Sequence, residues 1–139
     1  MVNIRHCDRI KDINQDLNLT MNISQAKEER AQLNQLMADN DAFFQQFGQL
    51  DDDVYAAGAI PKKYKELTGL SISVLSRCEE CILYHLQGAI KAGANKAELI
   101  EAIKMGVIGG GSITYPSARY AFKLLQELGI IDKGSILAK

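Results

Sequence analysis

Apolar positions recur at threes and fours along most of the chain, the spacing of one helix face. From Ser24 to about Gly48, Ala26, Leu33, Leu36, Met37, Phe43, Phe44 and Phe47 follow this rhythm, with Gln, Glu and Asp between them. Ser24 stands where it can cap that helix. Asp51-Asp52-Asp53 then opens a small-residue-rich segment from Val54 to Ile60. Pro61 fits the first turn of a helix, where its missing N–H has no partner to lose, and the helix runs through Tyr64, Leu67, Leu70, Val74 and Leu75. Ser76-Arg77-Cys78-Glu79 has capping-box spacing, which predicts Ser76 as the cap of a helix carrying Cys81, Ile82, Leu86, Ala89 and Ile90 and stopping near Gly93. Asn95-Lys96-Ala97-Glu98 repeats the device for a helix through Leu99, Ala102, Ile103 and Met105, which ends at Gly109-Gly110-Gly111. A last helix begins around Pro116, capped by a nearby Ser or Thr, and stops at Gly129.

No span alternates apolar and polar residues long enough for a strand; Ser71 to Val74 does so briefly, between helical signals. No internal repeat is present. The expected fold is therefore all-α, a helical bundle read as one domain over residues 1–139. Residues 1–23 read as a polar arm, 24–60 as an N-terminal helical segment, and 61–129 as the tightly patterned remainder.

A chain of 139 residues that is 47% apolar and 24% charged has the make-up of a globular protein able to bury a core without disulfides. Sixteen Lys and Arg against seventeen Asp and Glu leave a formal charge of −1, so no basic excess exists to neutralise phosphates. Aromatics make up 6% and Trp is absent, which leaves little for stacking on bases. No nucleic-acid partner is expected. No membrane partner is expected either, because no stretch reaches the ~18 apolar residues of a spanning helix. The N-terminus has neither a secretory nor a transit character, and the expected location is cytoplasmic.

Chemistry concentrates in Cys78-Glu79-Glu80-Cys81-Ile82-Leu83-Tyr84-His85. Spacings of three and four make Cys78 and Cys81, then Cys81 and His85, neighbours on one helix face. A helix N-terminus favours an anion, and either that terminus or a nearby imidazole lowers a thiol's pKa from ~8.5. Imidazole is a better base when a carboxylate orients it. Glu66, on the preceding helix, is the candidate, expected on a different stripe from the exposed Lys62. Gly88 costs its helix ~1 kcal/mol relative to Ala, which a close helix approach at that turn would offset.

These residues carry a resemblance. Lys65-Glu66-Leu67, Ser71-Ile72-Ser73, Arg77-Cys78-x-x-Cys81-x-x-x-His85, Ala89 to Ala94, Glu98 to Ala102 and Gly109-Gly110-Gly111 together resemble the AhpD-like branch of the carboxymuconolactone decarboxylase family. The likeness runs from Pro61 to Gly129. It implies an all-α fold that assembles as trimers or hexamers. It also implies reduction of alkyl hydroperoxides by a Cys-x-x-Cys pair, which is recharged by a dithiol protein or a lipoyl group and needs no cofactor. By resemblance, Glu66 acts through His85 with a water between, Cys81 attacks the peroxide, and Cys78 closes an intramolecular disulfide. Glu80 departs from the family, which often has His or an aromatic residue there; a carboxylate beside a thiol opposes thiolate formation.

Other readings compete. Cys78 and Cys81 would be half a zinc site, with His85 and His6 or Cys7 completing it, in a non-catalytic metal-binding or redox-sensing oligomer. An inert pair of core cysteines is a further alternative. A lactone lyase on the same scaffold is the third, although the decarboxylating members lack the cysteines. His6 and Cys7 receive no role. Gly109-Gly110-Gly111 reads as a helix stop, Asp51-Asp52-Asp53 as a solvated turn, and Tyr115 as core packing. The phenylalanine-rich helix suggests apolar faces that an oligomer would cover.

Overall fold

The computed structural model describes residues 23–132. His6, Cys7 and the arm expected over residues 1–23 lie outside the described residues, apart from Ile23. The elements are α1 (Ile23–Asn40), α2 (Ala42–Tyr55), α3 (Lys62–Ser76), α4 (Glu79–Lys91), α5 (Lys96–Gly110), a 3-10 turn (Gly111–Thr114) and α6 (Tyr115–Glu127). Among the described residues there is no strand, and the fold is all-α as the periodicity predicts. No helix among them is long and apolar enough to cross a membrane.

Two boundaries differ from expectation. The helix predicted from Ser24 to Gly48 is two helices broken at Asp41, because the Asp41 carboxylate accepts the N–H of Phe43 at 2.8 Å and starts a new helix. Asp51-Asp52-Asp53 lies within the last two turns of α2 rather than opening a separate small-residue-rich segment, and the helix continues to Tyr55.

The chain forms two compact units that divide between Asp51 and Asp52. In the first, Leu33, Leu36, Met37, Phe43, Phe44, Phe47 and Leu50 are all exposed. In the second, Leu70 and Val74 of α3, Ile82 and Leu86 of α4, Leu99 and Ile103 of α5, and Leu124 and Leu125 of α6 form a fully buried core. Each such side chain contributes roughly 1.5–3 kcal/mol through burial. α3 lies at the centre and packs chiefly on α4 and α5, while α6 closes against α4. The α3–α5 approach is close: a Cβ on Gly106 would lie 2.6 Å from the Ser71 carbonyl oxygen, and the Ser71 hydroxyl donates to the Ala102 carbonyl at 2.8 Å. Lys63 reaches Glu98 across the same seam at 2.8 Å. That hydrogen bond, with the backbone N–H of Asn95, holds the Glu98 carboxyl below its usual range. The capping box predicted at Asn95 and Glu98 is present, with bonds of 3.0 and 2.9 Å.

The capping box predicted at Ser76 and Glu79 is absent. Ser76 is the last residue of α3, and its hydroxyl turns back to the Ser73 carbonyl at 3.3 Å. α3 ends in a Schellman-type closure, in which Arg77 N–H donates to Val74 O at 3.2 Å and Cys78 N–H to Ser73 O at 3.1 Å. The two helices therefore share a two-residue turn with no room for Ser76 to serve the second. Thr114 likewise gives α6 no side-chain cap, since its hydroxyl bonds Gly111 O at 2.8 Å.

The closure requires Arg77 to adopt φ 59°, ψ 36°, the left-handed region. A residue with a Cβ is roughly 1–2 kcal/mol less stable there than in the right-handed region. Arg77→Gly is expected to stabilise the oxidised protein by about 1 kcal/mol, seen as a raised urea midpoint; a lowered midpoint would mean that the side chain outweighs the strain.

Candidate active site

The two-residue turn places Cys78 at the N-cap of α4, with extended backbone (φ −96°, ψ 99°). Its Sγ accepts the Cys81 N–H at 3.3 Å, in the role a Ser or Asp oxygen takes at other helix starts. Cys78 is thus one step outside the helix rather than at its second position. Cys78 and Cys81 are joined as a disulfide across a Cα–Cα distance of 5.2 Å. Glu79 and Glu80 are exposed in the first turn, where a carboxylate favours the helix dipole and faces water.

His85 follows Cys81 by one turn on α4. Its Nδ1 lies 2.9 Å from Glu66 Oε2, and Glu66, on α3, is only 3% exposed. Bringing a carboxylate this deep requires compensating donors, because an unpaired buried charge is costly. Two are present: His85 on Oε2, and Lys62 Nζ at 3.1 Å from Oε1. Lys62 is therefore on the Glu66 stripe, not a different one, as four-residue spacing on a helix dictates.

Two glycines make the space. A Cβ on Gly88 would sit 2.6 Å from the Glu66 carboxylate, and one on Gly69 would sit 2.5 Å from His85 Nδ1. Gly88 is the close approach that its helix-breaking character predicts, now with its occupant identified. Tyr55, from the last turn of α2, covers the imidazole with ring centroids 4.7 Å apart, and the Tyr84 ring meets it edge-on at 5.1 Å.

Glu66 favours a proton on Nδ1, which leaves Nε2 as the basic nitrogen. Among the described residues no side chain is hydrogen-bonded to Nε2, and the His85 side chain is 12% exposed. The ring is thus anchored through one nitrogen, Nδ1, to the buried Glu66 carboxylate, on the helix that carries Cys81 one turn earlier. At the start of α4, Tyr120 of α6 feels the same carboxylates. Burial, then the charges of Glu79, Glu127 and Glu80, push its phenol up to about 12, so it stays neutral.

The four residues singled out in the sequence fall at the α3–α4 junction: Glu66 against His85, and Cys78 bonded to Cys81. Tyr55 and Lys62 were missed as partners of His85 and Glu66. The four-residue spacing signals Lys62; nothing in the sequence pattern signals Tyr55, which falls in the stretch read as small-residue-rich. Among the described residues no group of three or more His, Cys, Asp and Glu is placed to hold a metal. Gly111 ends α5 at φ 72°, as a helix stop should, whereas Tyr115 is exposed and not core packing.

A model of the carboxymuconolactone decarboxylase family matches residues 41–127. The match begins at Asp41 rather than at Pro61, so α2 belongs to the matched region. The chain is similar to a carboxymuconolactone decarboxylase family protein from Thermotoga maritima for which an antioxidative role has been suggested. The two are 36% identical with TM-score 0.72, over 80% of this chain and 95% of that one. A family protein from Legionella pneumophila is 29% identical with TM-score 0.67, over 76% of this chain and 95% of the other. An uncharacterized protein of the cox locus of Paracoccus denitrificans is 30% identical over 59% of this chain and 74% of its own length. The chain belongs to the carboxymuconolactone decarboxylase family.

Gly88→Ala tests the cradle. At an ordinary helical site the change would stabilise by up to ~1 kcal/mol. Here it is expected to destabilise by about 1–3 kcal/mol through overpacking against the Glu66 carboxylate. A denaturation midpoint at or above wild type would contradict the close approach.

Proposed function

We propose that this member of the family is a thiol–disulfide oxidoreductase that reduces alkyl hydroperoxides. One observation carries the reading: the Cys78–Cys81 disulfide starts the helix on which His85, held by Glu66, stands one turn further along. In the reduced enzyme His85 Nε2 accepts the proton of Cys81, and Glu66 stabilises the imidazolium that results. The Cys81 thiolate attacks the outer peroxide oxygen. The O–O bond breaks, the alkoxide takes a proton and leaves as alcohol, and Cys81 becomes a sulfenic acid. Cys78 then attacks that sulfur, water leaves, and the disulfide closes. Two electrons from the thiols have reduced the peroxide to alcohol and water. A dithiol donor, either a protein thiol pair or a dihydrolipoyl group, takes over the disulfide by exchange and returns both cysteines to thiols.

The cap geometry supports Cys78 as the resolving sulfur. Its seat at the helix N-terminus, with the Cys81 N–H directed at it, stabilises negative charge on Cys78 when the donor opens the disulfide. The suggested antioxidative role of the Thermotoga relative points the same way. The reading includes assembly as a trimer or hexamer and work in the cytoplasm.

Cys78→Ser and Cys81→Ser are each expected to abolish dithiol-dependent reduction of an organic hydroperoxide in a stopped assay of residual peroxide. Turnover at the wild-type rate by either variant would defeat the mechanism. Glu66→Gln removes the group that stabilises the imidazolium, so proton removal from the thiol becomes harder. The rate should fall, and the rising limb of the pH–rate profile should move to higher pH; an unmoved limb would take Glu66 out of the relay.

A further inference from the structure

The last turn of α2 is tied to α3 by two lysines. Lys65 Nζ donates to the carbonyls of Val54 and Ala56, both at 2.7 Å, and Lys62 Nζ donates to the carbonyl of Tyr55 at 3.3 Å. Carbonyls at a helix C-terminus lack intrahelical partners and carry partial negative charge, so cations settle there. Among the described residues Lys65 Nζ bonds only to these backbone carbonyls. Lys62 differs, because the same ammonium also meets Glu66 Oε1 at 3.1 Å. It therefore touches two of the groups that surround His85: the carboxylate that holds its Nδ1, and the backbone of the tyrosine whose ring covers it.

We propose that Lys62 is a positioning residue of the relay, an ammonium bridge from the Glu66 carboxylate to the Tyr55 carbonyl that sets both the charge balance at His85 and the seat of its tyrosine cover. The inference deepens the oxidoreductase reading and rests on it for its catalytic consequence. One carboxylate faces two cations whenever His85 is protonated, Lys62 on Oε1 and the imidazolium on Oε2. The ammonium shares the anion with the ring, so removing it leaves the whole carboxylate charge to the imidazolium.

The other groups around the ring do not duplicate this charge. Tyr55 from α2 and Tyr84 from α4 present ring faces and edges, and Gly69 of α3 presents backbone alone. Cys78 and Cys81 of α4 are tied up as the disulfide in the oxidised protein. From α6, Tyr120 is a neutral phenol beside Glu79 and Glu80 at the start of α4. Those two carboxylates are exposed to water, which screens them. Lys62 is itself half-exposed, at 49%, so its influence is damped but not removed.

The test uses the full oxidised protein and proton NMR of the His85 ring, assigned by loss of the signal in His85→Gln. In Lys62→Met the midpoint of the His85 titration is expected to move up by about half a pH unit or more. Lys62→Arg, which keeps the charge, is expected to titrate near wild type, and Lys65→Met is expected to leave the midpoint in place. A midpoint in Lys62→Met within the error of wild type would overturn the proposal, as would an equal shift in Lys65→Met. The readout needs no turnover: if the cysteine variants disproved peroxide reduction, the titration would still decide the role of Lys62 at His85.

Discussion

The contact between Glu66 and His85 is the constraint on which the rest of this structure depends. A carboxylate buried to 3% exposure is tolerated only where donors meet it, and its position fixes how α3 and α4 must face each other. Gly69 and Gly88 lie on the two facing helices, and each leaves the volume that the polar group of the other needs. Gly69 clears the His85 ring, and Gly88 clears the Glu66 carboxyl. The weak helix propensity of both positions is thereby exchanged for a polar pair within the core boundary.

The second constraint is the two-residue turn before that pair. Because α3 closes through Arg77 and Cys78, the first cysteine is both the end of one closure and the cap of the next helix. Its N–H serves Ser73, while its sulfur serves Cys81. A helix started by sulfur rather than oxygen holds a redox group in a structural role, and the state of that sulfur is linked to the first turn of α4. Glu79 and Glu80 fit the same logic: they stabilise the helix start while staying in water, where their opposition to a neighbouring thiolate is weakest.

Much of this was legible in the sequence. The 3.6-residue rhythm, the Asn95–Glu98 cap and the glycine stops outline the second compact unit, and Cys78, Cys81, His85 and Glu66 stand out by spacing and resemblance. Local signals failed where two structures competed for the same residues. Ser76 has capping-box spacing to Glu79, but the chain needs it inside α3, and the Schellman closure prevails. Asp41 reads as one more polar residue on a helix, yet its carboxylate begins a new one. Tyr55 reaches His85 only through tertiary packing, which no periodicity encodes, whereas Lys62 follows directly from four-residue spacing to Glu66.

Alkylation of the reduced protein by iodoacetamide across pH, followed for Cys78 and Cys81 separately by mass spectrometry, bears most directly on whether this geometry activates sulfur. At least one of the two should react at its half-maximal rate well below the ordinary thiol range of ~8.5, and should move back toward it in His85→Gln. If both sulfurs in the unaltered protein follow the profile of an ordinary exposed thiol, the helix start and the anchored imidazole do not activate them, and the oxidoreductase reading fails.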